Sequence, residues 1–173
     1  MQIETERLVL RPLGPADLPT VHRYAADPEN ARYMFFGLKQ TEADTAAFLA
    51  GVEAEWKKEA PSFYEFALTL DGVQFGAVGL YLNDSRTEGE LGWILDRRYQ
   101  GKGYALEGAK AVVDFAFRRL GLPTLIAHCD TRNAPSFRLM ERLGMKRVAV
   151  GPRHYPQTGE EAEEFTYRLC RPD

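Results

Sequence analysis

A mixed β-sheet flanked by helices, in the α/β (α+β) class, is the fold this sequence predicts, and three observations predict it. Phe63–Leu70 and Val73–Leu82 are β-like runs joined by Asp71-Gly72, the pattern of a hairpin with a tight turn. Residues 91–95 form a short apolar run suited to a buried strand, which leads through Gly101 and Gly103 into a helical repeat of Ala105, Ala109, Val112, Val113, Ala116, Phe117 and Leu120. The elements then follow the order βα-α-βββ-α-β-α-ββ, which a fully alternating doubly wound fold would not show.

Taken in order, residues 7–11 predict a first strand closed by Pro12, and Gly14-Pro15 starts a helix striped by Leu18, Val21 and Ala25. Asp27-Pro28 breaks that helix, and the segment through Phe35-Phe36-Gly37 reads as a short helix or loop. Thr41, with Asp44 in the first turn, begins a helix whose Phe48, Leu49, Val52 and Trp56 share a face and which Pro61 ends. After the hairpin, Asn83-Asp84-Ser85 turns the chain into the Glu90 strand, and the long helix that follows stops at Gly121, ahead of Pro123. Residues 124–129 predict a strand. Asn133-Ala134-Pro135-Ser136 opens a helix striped by Phe137, Met140 and Leu143 and ended by Gly144, and residues 147–150 predict another strand. Phe165, Tyr167 and Leu169 alternate with Thr166 and Arg168 in a closing strand, and residues 151–163 read as an irregular hairpin connection.

A length of 173 residues suits one well-buried core, so one domain spanning residues 1–173 is expected. Hydrophobic residues at 45%, charged residues at 27% and a net charge of −3 argue against disorder and against a general nucleic-acid binder. No apolar stretch approaches the roughly 20 residues that cross a bilayer. The first six residues lack the basic-then-apolar order of a signal peptide, and a cytoplasmic protein is expected. Cys129 and Cys170 belong to no Cys-x-x-Cys pair and read as reduced thiols. They and the three histidines show no metal-ligand spacing, so no metal is implied.

The turn before the long helix reads as an anion cradle. Gly101 and Gly103 allow backbone angles and ligand approach that other residues deny, the first helical N–H groups lack internal partners, and Arg97, Arg98 and Lys102 add charge. An ordinary strand-to-helix turn with solvated basic residues is the bland alternative. The dinucleotide fingerprint fails because Leu106 stands where a third glycine or alanine belongs, and the ATP-type loop fails because Gly103 follows Lys102. What remains, Arg98-x-x-Gly101-x-Gly103, resembles the acyl-CoA pyrophosphate signature of the GCN5-related N-acetyltransferase (GNAT) family, usually written Q/R-x-x-G-x-G/A. The resemblance runs along the chain. Thr5-Glu6-Arg7-Leu8-Val9-Leu10-Arg11, Asp27-Pro28-Glu29, Asn133-x-x-Ser136 and Glu141-Arg142-Leu143-Gly144-Met145 are similar to motifs of the subgroup that includes the ribosomal-protein alanine N-acetyltransferases. Arg142 for lysine and Met145 for phenylalanine are mild departures.

That resemblance implies a GNAT-like, mostly antiparallel sheet whose fourth and fifth strands, here residues 90–95 and 124–129, splay apart to admit pantetheine. It implies acetyl-CoA as cosubstrate, held by backbone groups of Trp93, Ile94 and Leu95 and by Arg98, Gln100, Gly101, Lys102, Gly103, Tyr104 and Ala105. Asn133 would bond the pantetheine arm, and Ser136 would lie near the sulfur and assist the departing thiolate. Read without the family, Asn133 is a helix cap and Ser136 bonds backbone. Acyl transfer to an amine also needs a proton acceptor. Glu90 is the first candidate, with Glu88, His128 and water as competitors and a structural ion pair as its bland role. Met140 stands where many family members carry a tyrosine general acid and cannot donate a proton, which leaves Ser136, Tyr104 or solvent. The expected function is transfer of an acetyl group from acetyl-CoA directly to a primary amine, a protein N-terminus or a small molecule, in a ternary complex. The alternative is a non-catalytic acyl-CoA-binding regulatory module, against which Glu90, Asn133 and Ser136 argue. Neither residues 31–40 nor 151–163 specify the acceptor, no nucleic-acid or membrane partner is implied, and a homodimer enters by analogy alone.

Overall fold

The computed structural model describes residues 1–34 and 41–172. Eight strands form one sheet in the order β1-β2-β3-β4-β5-β6-β8-β7. These are β1 (Ile3–Glu4), β2 (Val9–Pro12), β3 (Phe63–Leu70), β4 (Val73–Leu82), β5 (Glu88–Leu95), β6 (Thr124–Asp130), β7 (Lys146–Tyr155) and β8 (Glu160–Cys170). The helices are α1 (Leu18–Ala25), α2 (Pro28–Ala31), α3 (Glu42–Trp56), α4 (Tyr104–Asp114) and α5 (Ala134–Arg142). Every strand pair is antiparallel except β5 with β6.

Local chemistry explains the best-predicted elements. Asp71 and Gly72 both take positive φ, 50° and 80°, so a two-residue turn closes the β3–β4 hairpin with the twist its strands require. Thr41 accepts from the Asp44 N–H at 3.1 Å while Asp44 accepts from the Thr41 N–H at 3.0 Å, a reciprocal cap that starts α3 where the sequence places it. A π-helical turn, Phe115–Arg119, extends α4, and the Leu120 N–H donates to the Phe115 carbonyl five residues back at 3.2 Å.

Residues alternate across the sheet, so each face carries its own core. On one face Tyr64, Phe66, Leu68, Val78 and Leu80 pack with Val112 and Phe115 of the long helix, whose ring meets Tyr64 and Phe66 edge-on at 5.2 Å. On the other, Ala67 and Ala77 pack with Val21 and Tyr24 of α1 and Leu49 and Val52 of α3. Each fully buried large side chain, such as Phe66 or Phe75, contributes on the order of 1.5–3 kcal/mol by leaving water.

Two expectations are corrected. The connection read as irregular at residues 151–163 is a regular hairpin, with partners from Lys146↔Arg168 to Tyr155↔Glu160. Its alternation is hidden because β7 is an edge strand exposed along its first half, with Val148 at 50% and Val150 at 54%, because its later buried positions are filled by Arg153 and Tyr155 rather than by aliphatic residues, and because Pro152 is tolerated where an edge N–H needs no partner. The strand expected at residues 7–11 is β2, which begins at Val9 and is preceded by the short β1, and Arg7 is drawn instead into contacts described below. Phe35-Phe36-Gly37 lies outside the described residues.

One feature positions everything that follows. The parallel partners Glu88↔Thr124, Gly89↔Leu125 and Glu90↔Ile126 end the pairing of β5 with β6, and past that point the two strands run on to Leu95 and Asp130 unpaired with each other. The expected splay is therefore present. Asp130, at 0% exposure, closes the free end of β6: it accepts from Arg132 Nε at 2.8 Å, Arg132 Nη2 at 2.7 Å, the Arg132 N–H at 2.9 Å and the Tyr155 hydroxyl at 2.8 Å.

Burial alone would raise the Asp130 pKa, but these bonds outweigh it and hold it at about 2, against 3.8 ordinarily. A depressed carboxylate stabilises the fold above its unfolded pKa and loses that contribution as pH falls through the folded value. Asp130→Asn should therefore cost about 2 kcal/mol or more at neutral pH, and the deficit should shrink as pH falls from about 4 toward 2, as read by urea melts across that window.

Candidate active site

A cleft of about 1100 Å³ opens where β5 and β6 part. Its β5 wall holds Glu90, Trp93, Ile94 and Leu95, its floor Gln100, Gly101, Gly103, Tyr104 and Ala105, and its far side Cys129, Asn133 and Ser136. The structure thus gathers eleven of the sequence-predicted residues. Arg98 and Lys102 are not among its lining. The Arg98 guanidinium instead turns back two residues to Asp96, donating at 3.0 Å and 2.7 Å, and Arg23 reaches the same carboxylate at 3.0 Å.

The floor is built by the backbone. After Asp96 the chain makes one 3₁₀ turn, Arg97–Tyr99, and then Gly101 and Gly103 take φ of +74° and +82°, in the left-handed region open mainly to glycine. Gly103 is the cap of α4, and the first intrahelical bond runs from the Glu107 N–H to the Gly103 carbonyl at 3.1 Å. The N–H groups of Tyr104, Ala105 and Leu106 accordingly have no intrahelical acceptor. A Cβ placed on Gly101 would meet no atom within 4 Å, and one on Gly103 would meet only Arg7 Nη2, at 3.4 Å. Free donors, a helix N-terminus and open space together fit a pyrophosphate.

Two braces hold this floor. Glu107 accepts from Thr5 Oγ1 at 2.6 Å, the Arg7 N–H at 2.8 Å and Arg7 Nε at 2.7 Å, while Arg7 Nη1 donates to the Lys102 carbonyl at 3.1 Å and the guanidinium lies 4.6 Å over the Tyr104 ring. From α2, Asn30 donates to the Leu95 carbonyl at 2.9 Å and accepts from Gln100 at 2.8 Å, tying that helix to the end of β5.

Across the opening, Asn133 is the cap residue of α5, yet its side chain makes no capping bond and faces the cleft. Ser136 hydrogen-bonds the Cys129 thiol, and burial, partly offset by that bond, pushes the thiol up to about 11. Met140 is buried at 1%, as a core side chain rather than a cleft group.

On the α1–α3 face a polar row crosses the strands. Glu90 stands opposite Tyr81 on one side and Ile126 on the other, and His128 follows two residues along β6. His128 Nδ1 lies 3.1 Å from Thr166 Oγ1 and 3.5 Å from Glu164 Oε1, and Arg153 Nη1 donates to Glu164 at 2.8 Å. Burial raises the Glu90 pKa, which His128 and Arg153 oppose and Glu164 and Glu88 reinforce. Glu88 itself lies 3.9 Å from Arg168 and is not among the cleft lining. His22 and His154 pair with Thr45 and Glu161, away from the cleft. Sequence reasoning missed Tyr81, Glu164, Arg153 and Asn30 as cleft residues. It also missed Glu65, whose buried carboxyl accepts the Tyr81 hydroxyl; its signal was a lone carboxylate inside the apolar β3 run.

Residues 7–146 match the model of the acetyltransferase (GNAT) domain. The chain is 30% identical over 171 residues to the uncharacterized N-acetyltransferase YnaD of Bacillus subtilis (strain 168), covering 98% of this chain and 96% of that one. It is 31% identical over 137 residues to the spermidine N(1)-acetyltransferase of Escherichia coli (strain K12), covering 78% and 70%. The crystal structure of a GNAT-family acetyltransferase from Bacillus anthracis superposes with a TM-score of 0.84 at 31% identity and 98% coverage of both chains.

The two cysteines give a chemical check on the cleft. Cys170 is exposed, whereas Cys129 is buried with a raised pKa, so it is almost wholly a thiol at pH 8. Iodoacetamide at that pH should alkylate Cys170 at least about tenfold faster than Cys129, as read by peptide mass spectrometry of the native protein.

Proposed function

The chain belongs to the GNAT acetyltransferase family of acetyl-CoA-dependent N-acetyltransferases, and from that premise we propose that it transfers the acetyl group directly to a primary amine within a ternary complex. The observation that carries this reading is the parting of β5 and β6 directly beside the glycine floor, with Glu90 at the fork. Nothing in the cleft favours a non-catalytic acyl-CoA-binding module.

When bound, acetyl-CoA supplies a thioester whose carbonyl an amine can attack. The unpaired N–H groups at the start of α4, with Gly101 and Gly103, would hold its pyrophosphate, and the free edge of β5 at Trp93, Ile94 and Leu95 would align the pantetheine arm with Asn133 opposite. A backbone N–H near Ile94 would polarise the carbonyl. Glu90, a carboxylate with a raised pKa at the fork, would take the amine's proton, with His128 next along the row. Ser136 would serve the departing thiolate, with Tyr104 or solvent as the other donors, because Met140 is buried and carries no proton to give. The acceptor could be a protein N-terminus or a small amine, and the spermidine enzyme among the relatives brings polyamines into that range.

Thiol release on mixing the protein with acetyl-CoA and a panel of spermidine, ethanolamine and an alanine-terminated peptide tests the activity. At least one amine should raise release well above the rate without amine, and a uniform absence would remove the catalytic reading. Glu90→Gln should then lower kcat about a hundredfold or more with little change in cofactor affinity, whereas a loss below about threefold would shift the base to His128 or water, which His128→Gln decides.

The floor is tested by calorimetry. Gly101→Val and Gly103→Val should each weaken coenzyme A by about tenfold or more, because a branched side chain cannot hold φ near +80° and would project into the phosphate space. Unchanged affinity in a folded variant would move the phosphate site elsewhere.

A further inference from the structure

One titratable pair beside the cleft has no part in the mechanism above. Glu65 is the third residue of β3, 7% exposed, and Tyr81 of β4 donates its hydroxyl to the Glu65 carboxylate. The register puts both on one face, since Glu65 stands opposite Gly79, two residues before Tyr81, and Tyr81 stands opposite Glu90. Glu65 is therefore sealed behind Tyr81, and Tyr81 lines the cleft next to the proposed base.

The groups facing this carboxyl can be named from every side. From β4 comes Tyr81; beyond it on β5 stands Glu90; from α1 comes Tyr24, which accepts a hydrogen bond from Gln74; from α3 the Trp56 indole donates to the Glu65 backbone carbonyl. The charges on the β2 side, Arg11 and Asp17, pair with each other at 2.6 Å. Among the described residues no cation pairs with Glu65. Burial pushes its pKa up to about 7, the Tyr81 bond offsetting part of the rise. Packing alone gives no reason to bury an ionisable group behind one neutral donor, since an amide would satisfy the same hydroxyl without that penalty. Room for the pair is also built in: a Cβ on Gly79 would lie 2.7 Å from both Glu65 Oε1 and Tyr81 Cε2.

Resting on the acetyl-transfer reading above, we infer that Tyr81 and Glu65 form a proton relay at the acceptor's end of the cleft. The hydroxyl donates inward to Glu65, and Tyr81 lines the cleft, so an ammonium bound there can donate a hydrogen bond to the hydroxyl oxygen. The ammonium N–H bond breaks and a Tyr81 O–H bond forms, while the original Tyr81 O–H bond breaks and its proton goes to a Glu65 carboxylate oxygen. The amine is left neutral and nucleophilic, Tyr81 is unchanged, and Glu65 is a neutral acid. The same path run backward returns the proton to solvent once product has left. An alkylammonium sheds two protons on its way to an amide: the relay takes the first and leaves the amine nucleophilic, and Glu90 takes the second as the C–N bond forms, so the two act in series and loss of either lowers kcat.

The test uses the full chain, acetyl-CoA and whichever amine of the panel releases most thiol. Glu65→Gln and Tyr81→Phe should each lower kcat about tenfold or more at pH 7.5, flatten the part of the pH–rate profile that titrates near neutrality, and leave the KM for acetyl-CoA within about twofold. The double variant should be no slower than the slower single one, because both lie on one path. Tyr81→Phe removes a single oxygen, so it keeps the test decisive should Glu65→Gln fold poorly. A readout free of turnover is the infrared carboxyl band lost in Glu65→Gln: it should titrate near neutrality in the wild type and shift in Tyr81→Phe. Wild-type pH profiles in both variants, or a Glu65 band that titrates with the surface carboxylates, would overturn the relay while leaving acetyl transfer intact. A wild type that binds coenzyme A but acetylates no amine would instead overturn the reading of the whole cleft, relay included.

Discussion

The structure turns on the place where β5 and β6 stop pairing. Three partner pairs join them and then the strands diverge, in the middle of a sheet whose other pairs are antiparallel. An unpaired strand edge inside a protein ordinarily costs free energy, because its N–H and C=O groups lose water without gaining partners. Here the edge opens onto a cleft, so its groups can meet solvent instead of being sealed inside the sheet. The neighbouring elements serve that opening. α4 starts at its lower end, α5 faces it from the other side, and Asp130, fastened by Arg132 and Tyr155, fixes the end of the strand that leaves.

The carboxylates around the cleft show how one functional group is given different work by its partners. Asp96 and Asp130 are buried but met by guanidinium groups, and both are held well below the ordinary range despite burial. Glu90 and Glu65 are raised chiefly by burial, which the groups around them offset only in part. The first two are structural pins that stay ionised at any physiological pH. The second two are the carboxyls to which the proposed mechanism and the relay assign proton transfer.

Much of this was legible in the sequence, for identifiable reasons. Asp71-Gly72 and Thr41-x-x-Asp44 act through local backbone geometry, and Gly101 and Gly103 were readable because positive φ favours glycine. Cleft residues on β5 and α5 followed once the glycine floor was placed between strand and helix. The losses share a physical origin. Arg98 was read as part of the cradle from its spacing to Gly101 and Gly103, and sequence alone does not show that Asp96, two residues earlier, holds its guanidinium. The β7–β8 hairpin was hidden because β7 is exposed along its first half and fills its later buried positions with Arg153 and Tyr155, so the apolar alternation by which strands are recognised is missing. Tyr81, Glu164 and Arg153 reach the cleft only through strand register, which joins residues distant in sequence.

The contact between the chain's opening segment and α4 carries a consequence for how such a protein can be altered. Thr5 and Arg7 meet Glu107 a hundred positions away, and Arg7 also holds the Lys102 carbonyl inside the glycine turn. The segment thus works as a splint for the floor as well as an edge strand beside β2. Neither Thr5 nor Arg7 lines the cleft, so a substitution at either would reach the glycine turn from outside it. Ligand affinity, rather than any change in the lining itself, is where such a substitution would be felt.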